Sequence, residues 1–278
     1  MSTVFTHPHK SALRLRNELS KLYFSSIHDG CKLICKNRDK CTSSINMSNT
    51  TYLPAQAHFV GKMYGLSIDE SPLRIVIVGQ EYGHGGESPD GHVTPLERSN
   101  TFDSASDYKF EPTNPHMRGS ALALRYLIRG DVGEDHEDCI TTSDGMKVSI
   151  YDCFALINYL MCSATKIGSR RGKSTAEMKR NCSENFKAAI ELLKPNVLIM
   201  QGRSYYSYVA DALDLPKDAD DSRIFSFCLP TALEPTHYAV LNHPSARPPY
   251  GWSSIKNMYY QKVVQHRLKE LRDAALSN

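Results

Sequence analysis

The run LRIVIVG at 73–79 constrains the fold more than any other feature of this sequence. It is a continuous apolar stretch that is rich in β-branched residues and ends in a glycine. Such a run is typical of a central strand in a parallel sheet, because helices cover both faces of that strand. The run NVLIMQG at 196–202 has the same character. The sequence therefore predicts an α/β protein with a buried, mostly parallel central sheet.

Apolar periodicity marks the remaining elements. They are strands within 149–161, at 223–229 and at 237–242, and helices at 10–28, 118–129 and 254–275. Ser174 and Glu177 form an S-x-x-E capping box that predicts the start of a further helix, which stops before Pro195. The buried face of that helix is predicted to consist of Met178, Cys182, Phe186, Ile190 and Leu193. Alternating strands and helices favour a three-layer α/β/α fold.

Two long segments lack this periodicity. Residues 31–53 are polar and contain three cysteines, so we expect a loop that needs something other than a hydrophobic core to order it. Residues 84–115 are rich in Gly, Pro, Asp, Ser and Asn, which is typical of a long functional excursion between packed elements.

Composition excludes several classes of protein. Apolar residues make up 41% of the 278 residues, which argues against global disorder. The longest strongly apolar stretch, 73–79, is far shorter than the roughly 20 residues that cross a bilayer, and the N-terminal MSTVFTHPHK lacks a signal-peptide core. We therefore expect a cytoplasmic protein with no membrane contact. The net charge of +3 is too small to indicate a nucleic-acid partner by itself.

Polar motifs follow three of the predicted strands. GQEYGH (79–84) follows the first strand, Asn158 lies near the end of the second, and NHPSAR (242–247) follows the last. Because the carboxyl ends of parallel strands meet at one edge of a sheet, a carboxylate, an amide and an imidazole are expected to converge there. This set suits a positioned water, recognition of a flat polar substrate and stabilisation of a developing oxyanion.

These motifs resemble those of the uracil-DNA glycosylase superfamily. GQEYGH is similar to the water-activating motif of that superfamily, and NHPSAR is similar to its second motif, whose histidine faces the base. NYLMC (158–162), followed by Cys182 and LLKPNVLIMQG (192–202), resembles the iron–sulfur branch. NPHMRGSALALRYL (114–127) resembles, more weakly, the segment that supplies the base-stacking aromatic. The similarity spans about residues 73–252.

The resemblance implies a fold and an activity. The chain would form one uracil-DNA glycosylase-like α/β/α domain over 1–278, with 1–53 a helix and cysteine loop attached through a metal cluster. It would be a monomer that acts on DNA and hydrolyses the N-glycosidic bond of uracil or a related deaminated base. Glu81 would orient or activate water, and neutral His243 would donate to the base oxygen that becomes negative.

The resemblance also assigns residues that bind the base and the DNA. The base-binding residues would be Gln80, Tyr82, His116 and Asn158. The DNA-binding residues would be Arg170, Arg171, Lys173, Ser245 and Arg247. His116 stands where a phenylalanine would stack on the flipped base, and Arg247 replaces the usual leucine wedge. The Asn158 amide would read the base edge, because it supplies both a donor and an acceptor.

The cysteines fall into two groups that would hold a 4Fe-4S cluster. Two of Cys31, Cys35 and Cys41 would join Cys162 and Cys182 to furnish four thiolates. The family's pair of cysteines separated by two residues is absent, which leaves open the choice among the first three. A zinc site that uses those three with His28 is an alternative.

Other functions fit the sequence less well than a glycosylase. An iron–sulfur DNA-binding or damage-sensing module without turnover fits the altered residues at 116 and 247, whereas Glu81 argues against it. A zinc-stabilised interaction protein is a third hypothesis. The segment GSRRGKS (168–174) imitates a phosphate-binding loop, but Ile167 stands where that motif needs a glycine. A serine hydrolase is disfavoured because the sequence contains no G-x-S-x-G.

Overall fold

The structure is a computed structural model that describes residues 3–8, 12–22, 34–46, 48–53, 57–81, 115–131, 138–167 and 172–277. Its strands are β1 (Phe5–Thr6), β2 (Thr50–Leu53), β3 (Phe59–Val60), β4 (Ser67–Ile68), β5 (Ser71–Pro72), β6 (Ile75–Gly79), β7 (Cys139–Thr141), β8 (Lys147–Ser149), β9 (Phe154–Asn158), β10 (Ser163–Lys166), β11 (Val197–Gln201), β12 (Phe225–Phe227) and β13 (Thr236–Leu241). Its helices are α1 (Ala12–Lys21), α2 (Arg38–Ser43), α3 (Pro115–Arg129), α4 (Ala176–Asn181), α5 (Ser183–Leu193), α6 (Tyr206–Leu213) and α7 (Gln265–Leu276).

A six-stranded sheet with the order β12-β13-β11-β6-β9-β3 forms the centre of the fold. The four inner strands are parallel to one another, and each of the two edge strands, β12 and β3, is antiparallel to the inner strand beside it. This arrangement confirms the predicted mixed α/β fold with a mostly parallel sheet. Smaller antiparallel pairings join β10 with β2, β7 with β8, and β1 and β5 with β4.

Alternation along β6 shows why both of its faces are apolar. Val76 and Val78 belong to a core that also contains buried residues of α1, α5 and α6. Ile75 and Ile77 belong to a second core that contains residues of α3 and α7. Because period-2 alternation sends neighbouring residues to opposite faces, a strand covered on both faces must be apolar throughout. Helices therefore cover both faces of the sheet.

The sheet reverses its strand order beside β6. The chain passes from β6 to β9 on one side and then crosses to β11 on the other side of β6. In open α/β sheets, ligands bind at such a reversal, in the crevice outside the carboxyl ends of the strands. The fold thus places the ends of β6, β9, β11 and β13 at the expected position of a site.

Several predicted elements differ in extent from the observed ones. The apolar run 149–161 is not one strand, because a 3₁₀ turn over Ile150–Asp152 precedes β9. The polar segment 31–53 is not a loop throughout, since it contains α2 and β2, and β2 is ordered by pairing with β10. The described part of the predicted helix 10–28 ends at Lys21. The C-terminal helix begins later than predicted, with a π-turn over Tyr260–Val264 before α7.

The capping box predicted at Ser174 and Glu177 is wrong by one residue. Thr175 is the N-cap of α4, and its hydroxyl accepts the backbone N–H of Met178 at 3.1 Å. The predicted single helix is interrupted at Cys182, which separates α4 from α5. The predicted apolar face from 178 to 193 is nevertheless buried as expected. Ser174 is therefore free to bond elsewhere. None of the helices in the described part of the chain has the length and apolar character to cross a membrane.

We expect Thr175→Ala to lower the free energy of unfolding by about 1–2 kcal/mol, because it removes the cap of α4. The same hydroxyl lies 2.7 Å from that of Ser44, so the substitution also loosens α2. Thr175→Ser keeps the hydroxyl and should retain most of the stability. Urea denaturation of the three proteins measures the difference, and equal stabilities would mean that Thr175 is not the cap.

Candidate functional site

Three polar or small residues form a row across the carboxyl edge of the sheet. Gly79 of β6 pairs in register with Asn158 of β9. On the other side, Met200 pairs with Val78, which places Gln201 of β11 beside Gly79. Successive residues of these strands belong alternately to the two cores, and this alternation places all three residues on the face that α3 covers. The row thus lies beneath the first turns of that helix.

Gly79 is required by a close approach of two side chains. A Cβ atom at this position would lie 2.8 Å from Oδ1 of Asn158 and 3.2 Å from Nε2 of His116. The first distance is below any normal carbon–oxygen contact, so an alanine would displace the Asn158 amide. The absence of a side chain at 79 therefore lets the amide and the imidazole both approach the end of β6.

The Asn158 amide has a buried donor that is unpaired within the described part of the chain. The residue is 4% exposed, and its Nδ2 has no hydrogen-bond partner among the described residues. A buried N–H without an acceptor costs free energy, and such groups in native proteins usually mark a water or a ligand. The amide is thus placed to donate to an acceptor that enters the crevice.

His243, which follows β13, is arranged as a neutral donor. Its Nδ1 accepts the backbone N–H of Ser245 at 3.2 Å and lies 2.7 Å from the Ser245 hydroxyl. Burial lowers the pKa of His243 below the ordinary 6.5, so the ring is neutral at neutral pH. Because Nδ1 accepts a hydrogen bond, the single ring proton is on Nε2. The ring centroid lies 5.6 Å from that of His116, with 35° between the planes.

The loop that carries His243 is packed onto α3. The indole N–H of Trp252 donates to the carbonyl of Asn242 at 2.5 Å, and the backbone N–H of Trp252 donates to Pro244 at 3.1 Å. A Cβ at Gly119 of α3 would lie 2.6 Å from Cγ of Pro244. The glycine therefore allows the loop to lie directly on the helix, which fixes His243 relative to His116.

The carboxylate of Glu81 is held by a different group of residues. Its Oε1 accepts from Nε2 of Gln80 at 2.9 Å, and its Oε2 accepts from the Ser174 hydroxyl. Burial raises the pKa of Glu81, whereas the bonds from Ser174, from the Ala164 N–H and from Gln80 oppose that shift. Gln80 also accepts from the Ser204 hydroxyl at 3.1 Å. Glu81 is thus tied to the segment before α4 and, through Gln80, to the segment after β11.

The predicted DNA-binding and cofactor residues are partly described. Lys173, Ser245 and Arg247 are exposed, as phosphate contacts require. The remaining predicted site residues, Tyr82, Arg170, Arg171 and Cys31, lie outside the described residues, as does His28 of the zinc alternative.

The described cysteines of the predicted cluster share one region. The pKa of Cys182 is raised to about 12, first by burial and then by the thiols of Cys162, Cys41 and Cys35. These thiols come from the N-terminal segment and from both ends of the 162–182 stretch. Cys41, Cys162 and Cys182 belong to one hydrophobic core, and Cys35 packs against it, so the two cysteine groups lie on the same side of the sheet.

The surroundings of these thiols contain hydrogen-bond donors. The Tyr52 hydroxyl donates to the Cys162 sulfur at 3.0 Å, and the amides of Asn181 and Asn185 face Cys41 and Cys35. Among the described residues, no three His, Cys, Asp or Glu side chains converge closely enough to hold one metal ion. A 4Fe-4S cluster makes a different demand, because it binds four cysteine thiolates and takes hydrogen bonds at sulfur. Cys35, Cys41, Cys162 and Cys182 are four cysteines in the described part of the chain, and hydrogen-bond donors lie near the sulfurs of the first three.

Two residues of the site were not predicted from the sequence. Gln201 donates from Nε2 to the Ser120 hydroxyl at 3.2 Å, and that hydroxyl donates to the His116 carbonyl. The buried Oε1 of Gln201 has no partner within the described ranges. An amide at the end of the apolar run NVLIMQG is the signal that marks it. The capping-box pattern assigns Ser174 to the start of a helix and gives no sign of its contact with Glu81.

No protein-family model matches this chain, and no curated protein is significantly similar to it. The inference of function therefore rests on the chemistry of the site.

We expect His243 to titrate below pH 6.5 and to carry its proton on Nε2 when neutral. Burial disfavours the imidazolium, so at pH 6.5, where an ordinary histidine is half protonated, His243 should remain mostly neutral. Nitrogen NMR of histidine-labelled protein, assigned with His243→Asn, measures both properties. A titration at or above pH 6.5, or an Nδ1–H tautomer, would contradict the geometry described.

Proposed function

We propose that this protein is a DNA glycosylase that hydrolyses the N-glycosidic bond of uracil or a related deaminated base. One observation carries the proposal. At the carboxyl edge of the sheet, the buried Nδ2 of Asn158 has no partner among the described residues. His243 is neutral and carries its proton on Nε2, and the flat ring of His116 lies beside it. Deaminated bases are flat and carry carbonyl oxygens, which are the acceptors that such donors need.

The base would be recognised by its polar edge and its face. The Asn158 amide would donate from Nδ2 to a base carbonyl, and its Oδ1 would accept a ring N–H. His116 offers its ring as a stacking surface. Because the bond cannot be reached within a stacked duplex, the nucleotide is flipped into the crevice at a cost of a few kcal/mol. Lys173, Ser245 and Arg247 would contact phosphates around the flipped nucleotide.

The chemistry is a hydrolysis at C1′ of the sugar. The electron pair of the glycosidic bond leaves with the base, and the negative charge develops on a base carbonyl oxygen. The Nε2–H of His243 stabilises that oxygen, as donors do in an oxyanion hole. A water oxygen bonds to C1′, and the Glu81 carboxylate orients this water and accepts its proton. The products are an abasic site and the base anion, which takes up a proton from solvent while Glu81 releases the proton that it accepted.

A 4Fe-4S cluster is proposed as the cofactor of this protein. Cys162 and Cys182 would supply two ligands, and Cys35 and Cys41 are the N-terminal thiols that interact with Cys182 in the described region. Cysteines bind a cluster as thiolates, so the free energy of cluster binding would have to offset the cost of deprotonating Cys182, whose pKa is raised. The cluster would link the N-terminal segment to the body of the fold.

One observation favours the alternative of an iron–sulfur DNA-binding or damage-sensing module without turnover. Both carboxylate oxygens of Glu81 already accept hydrogen bonds from the protein. The alternative keeps base recognition by Asn158 and His243 but assigns Glu81 a structural role. The two functions differ in whether abasic sites appear.

We expect Glu81→Gln and His243→Ala each to slow single-turnover excision by about 10²-fold or more, the effect of losing a catalytic base or an oxyanion donor. DNA affinity should change little. Glu184→Gln and His266→Ala alter exposed residues on α5 and α7 and serve as matched controls. Full activity in both site variants would show that these residues do not perform the chemistry.

We expect anaerobically purified protein to be brown and to contain about four irons per chain. Cys162→Ala and Cys182→Ala should remove the colour and lower the thermal stability, whereas Cys228→Ala, which changes an exposed thiol, should do neither. Iron analysis and visible absorption make the measurement. Stoichiometric zinc without iron would refute the assignment.

A further inference from the structure

The carboxylate of Glu81 lies against a backbone that has no side chain. A Cβ at Gly172 would overlap Oε1 of Glu81 and lie 2.8 Å from its Cδ. The Ser174 hydroxyl donates to Oε2, and the N–H of Ala164 also stabilises the carboxylate. Gly172 and Ser174 of one segment and Ala164 of β10 therefore surround this acid, and the lack of a side chain at 172 makes room for it.

The hydroxyl of Ser174 is available for this contact because α4 begins one residue later than the sequence predicts. Thr175 takes the capping position and accepts from Met178. The neighbouring hydroxyls of residues 174 and 175 thus have separate partners, one the carboxylate and the other the helix. The contact of Ser174 with Glu81 can therefore be removed without removing the helix cap at Thr175, and the reverse.

The segment that holds Glu81 is itself anchored. The backbone N–H of Lys173 donates to the carbonyl of Ala164 at 2.6 Å, and Gly172 forms a bridge with Thr165 of β10. β10 pairs along its length with β2. Ser174 is therefore held in place by backbone pairing on one side and by the start of α4 on the other.

From this geometry we infer that Ser174 is a positioning residue for Glu81, which fixes the orientation of the carboxylate that activates water. The inference rests on the proposed function. With one oxygen bonded to Ser174 and the other to Gln80, the plane of the carboxylate is set. The Ala164 N–H is a third donor, which leaves one of the four lone-pair sites of the carboxylate for water. Ser174 thus acts through Glu81 and touches neither base nor sugar.

The contact also controls protonation of the acid. A hydrogen bond donated to a carboxylate favours its charged form, so loss of the Ser174 hydroxyl should make Glu81 easier to protonate. Lys179 of α4 is the charged group of the described residues that faces Glu81, and it acts in the same direction as Ser174. Because the ionised form is the active one, excision falls as pH falls through the pKa of Glu81.

The test compares Ser174→Ala with Ser174→Thr and with Thr175→Ala. Ser174→Ala should slow single-turnover excision of uracil at neutral pH by about 10-fold, the scale of one hydrogen bond to a charged group. It should also move the acid limb of the pH–rate profile to higher pH. Ser174→Thr should retain the wild-type rate and the wild-type acid limb, because it keeps the hydroxyl. Thr175→Ala should lose stability but keep the wild-type acid limb.

A second readout does not depend on turnover. Carbon NMR of glutamate-labelled protein, assigned with Glu81→Gln, follows the titration of the carboxyl group directly. A titration of Glu81 that is identical in wild type and Ser174→Ala would overturn the inference. Should the wild type excise no base, the proposed function fails, yet the NMR comparison still decides whether Ser174 controls this carboxylate.

Gly172→Ala provides an independent variant. The added methyl group has no room beside Oε1, so it should displace the carboxylate and slow excision at least as much as Ser174→Ala while circular dichroism stays unchanged. A Gly172→Ala protein with wild-type rate and titration would also overturn the inference, because the carboxylate would then not depend on this segment.

Discussion

The pairing of β6 with β9 on one side and β11 on the other is the constraint on which the rest of the structure depends. It brings three strand ends to one edge and sets Gly79 between two amides. The missing side chain at 79 lets Asn158 and His116 meet over the backbone. Every group that we assign to base recognition is positioned by this pairing or by the helix and loop that pack against it.

The buried strands were predictable because burial on both faces leaves a mark in the sequence. β6 and β11 lie within the runs 73–79 and 196–202, shortened by one or two residues. The run 149–161 misled the prediction because Tyr159, Leu160 and Met161 are buried beyond the strand end. β2 was missed because backbone pairing with β10 orders a polar segment without an apolar pattern.

The site was predictable where residues follow strands and unpredictable where they meet through space. Asn158 and His243 lie at strand ends, as their positions in the motifs indicate. The partner of Glu81 is 93 residues away, and it became available only because the helix cap is Thr175 instead of its neighbour. A sequence pattern does not locate a helix cap to within one residue. A shift of one residue nevertheless decides which hydroxyl reaches the acid.

The central claim is that the crevice cleaves the bond between a deaminated base and its sugar. The direct measurement incubates the wild-type protein with oligonucleotides that carry uracil, hypoxanthine or xanthine at one position, followed by alkaline cleavage at abasic sites. The account predicts strand cleavage at the modified position of at least one of these substrates and none in the unmodified control. Binding of these oligonucleotides without any abasic site, at protein in excess over DNA, would contradict it.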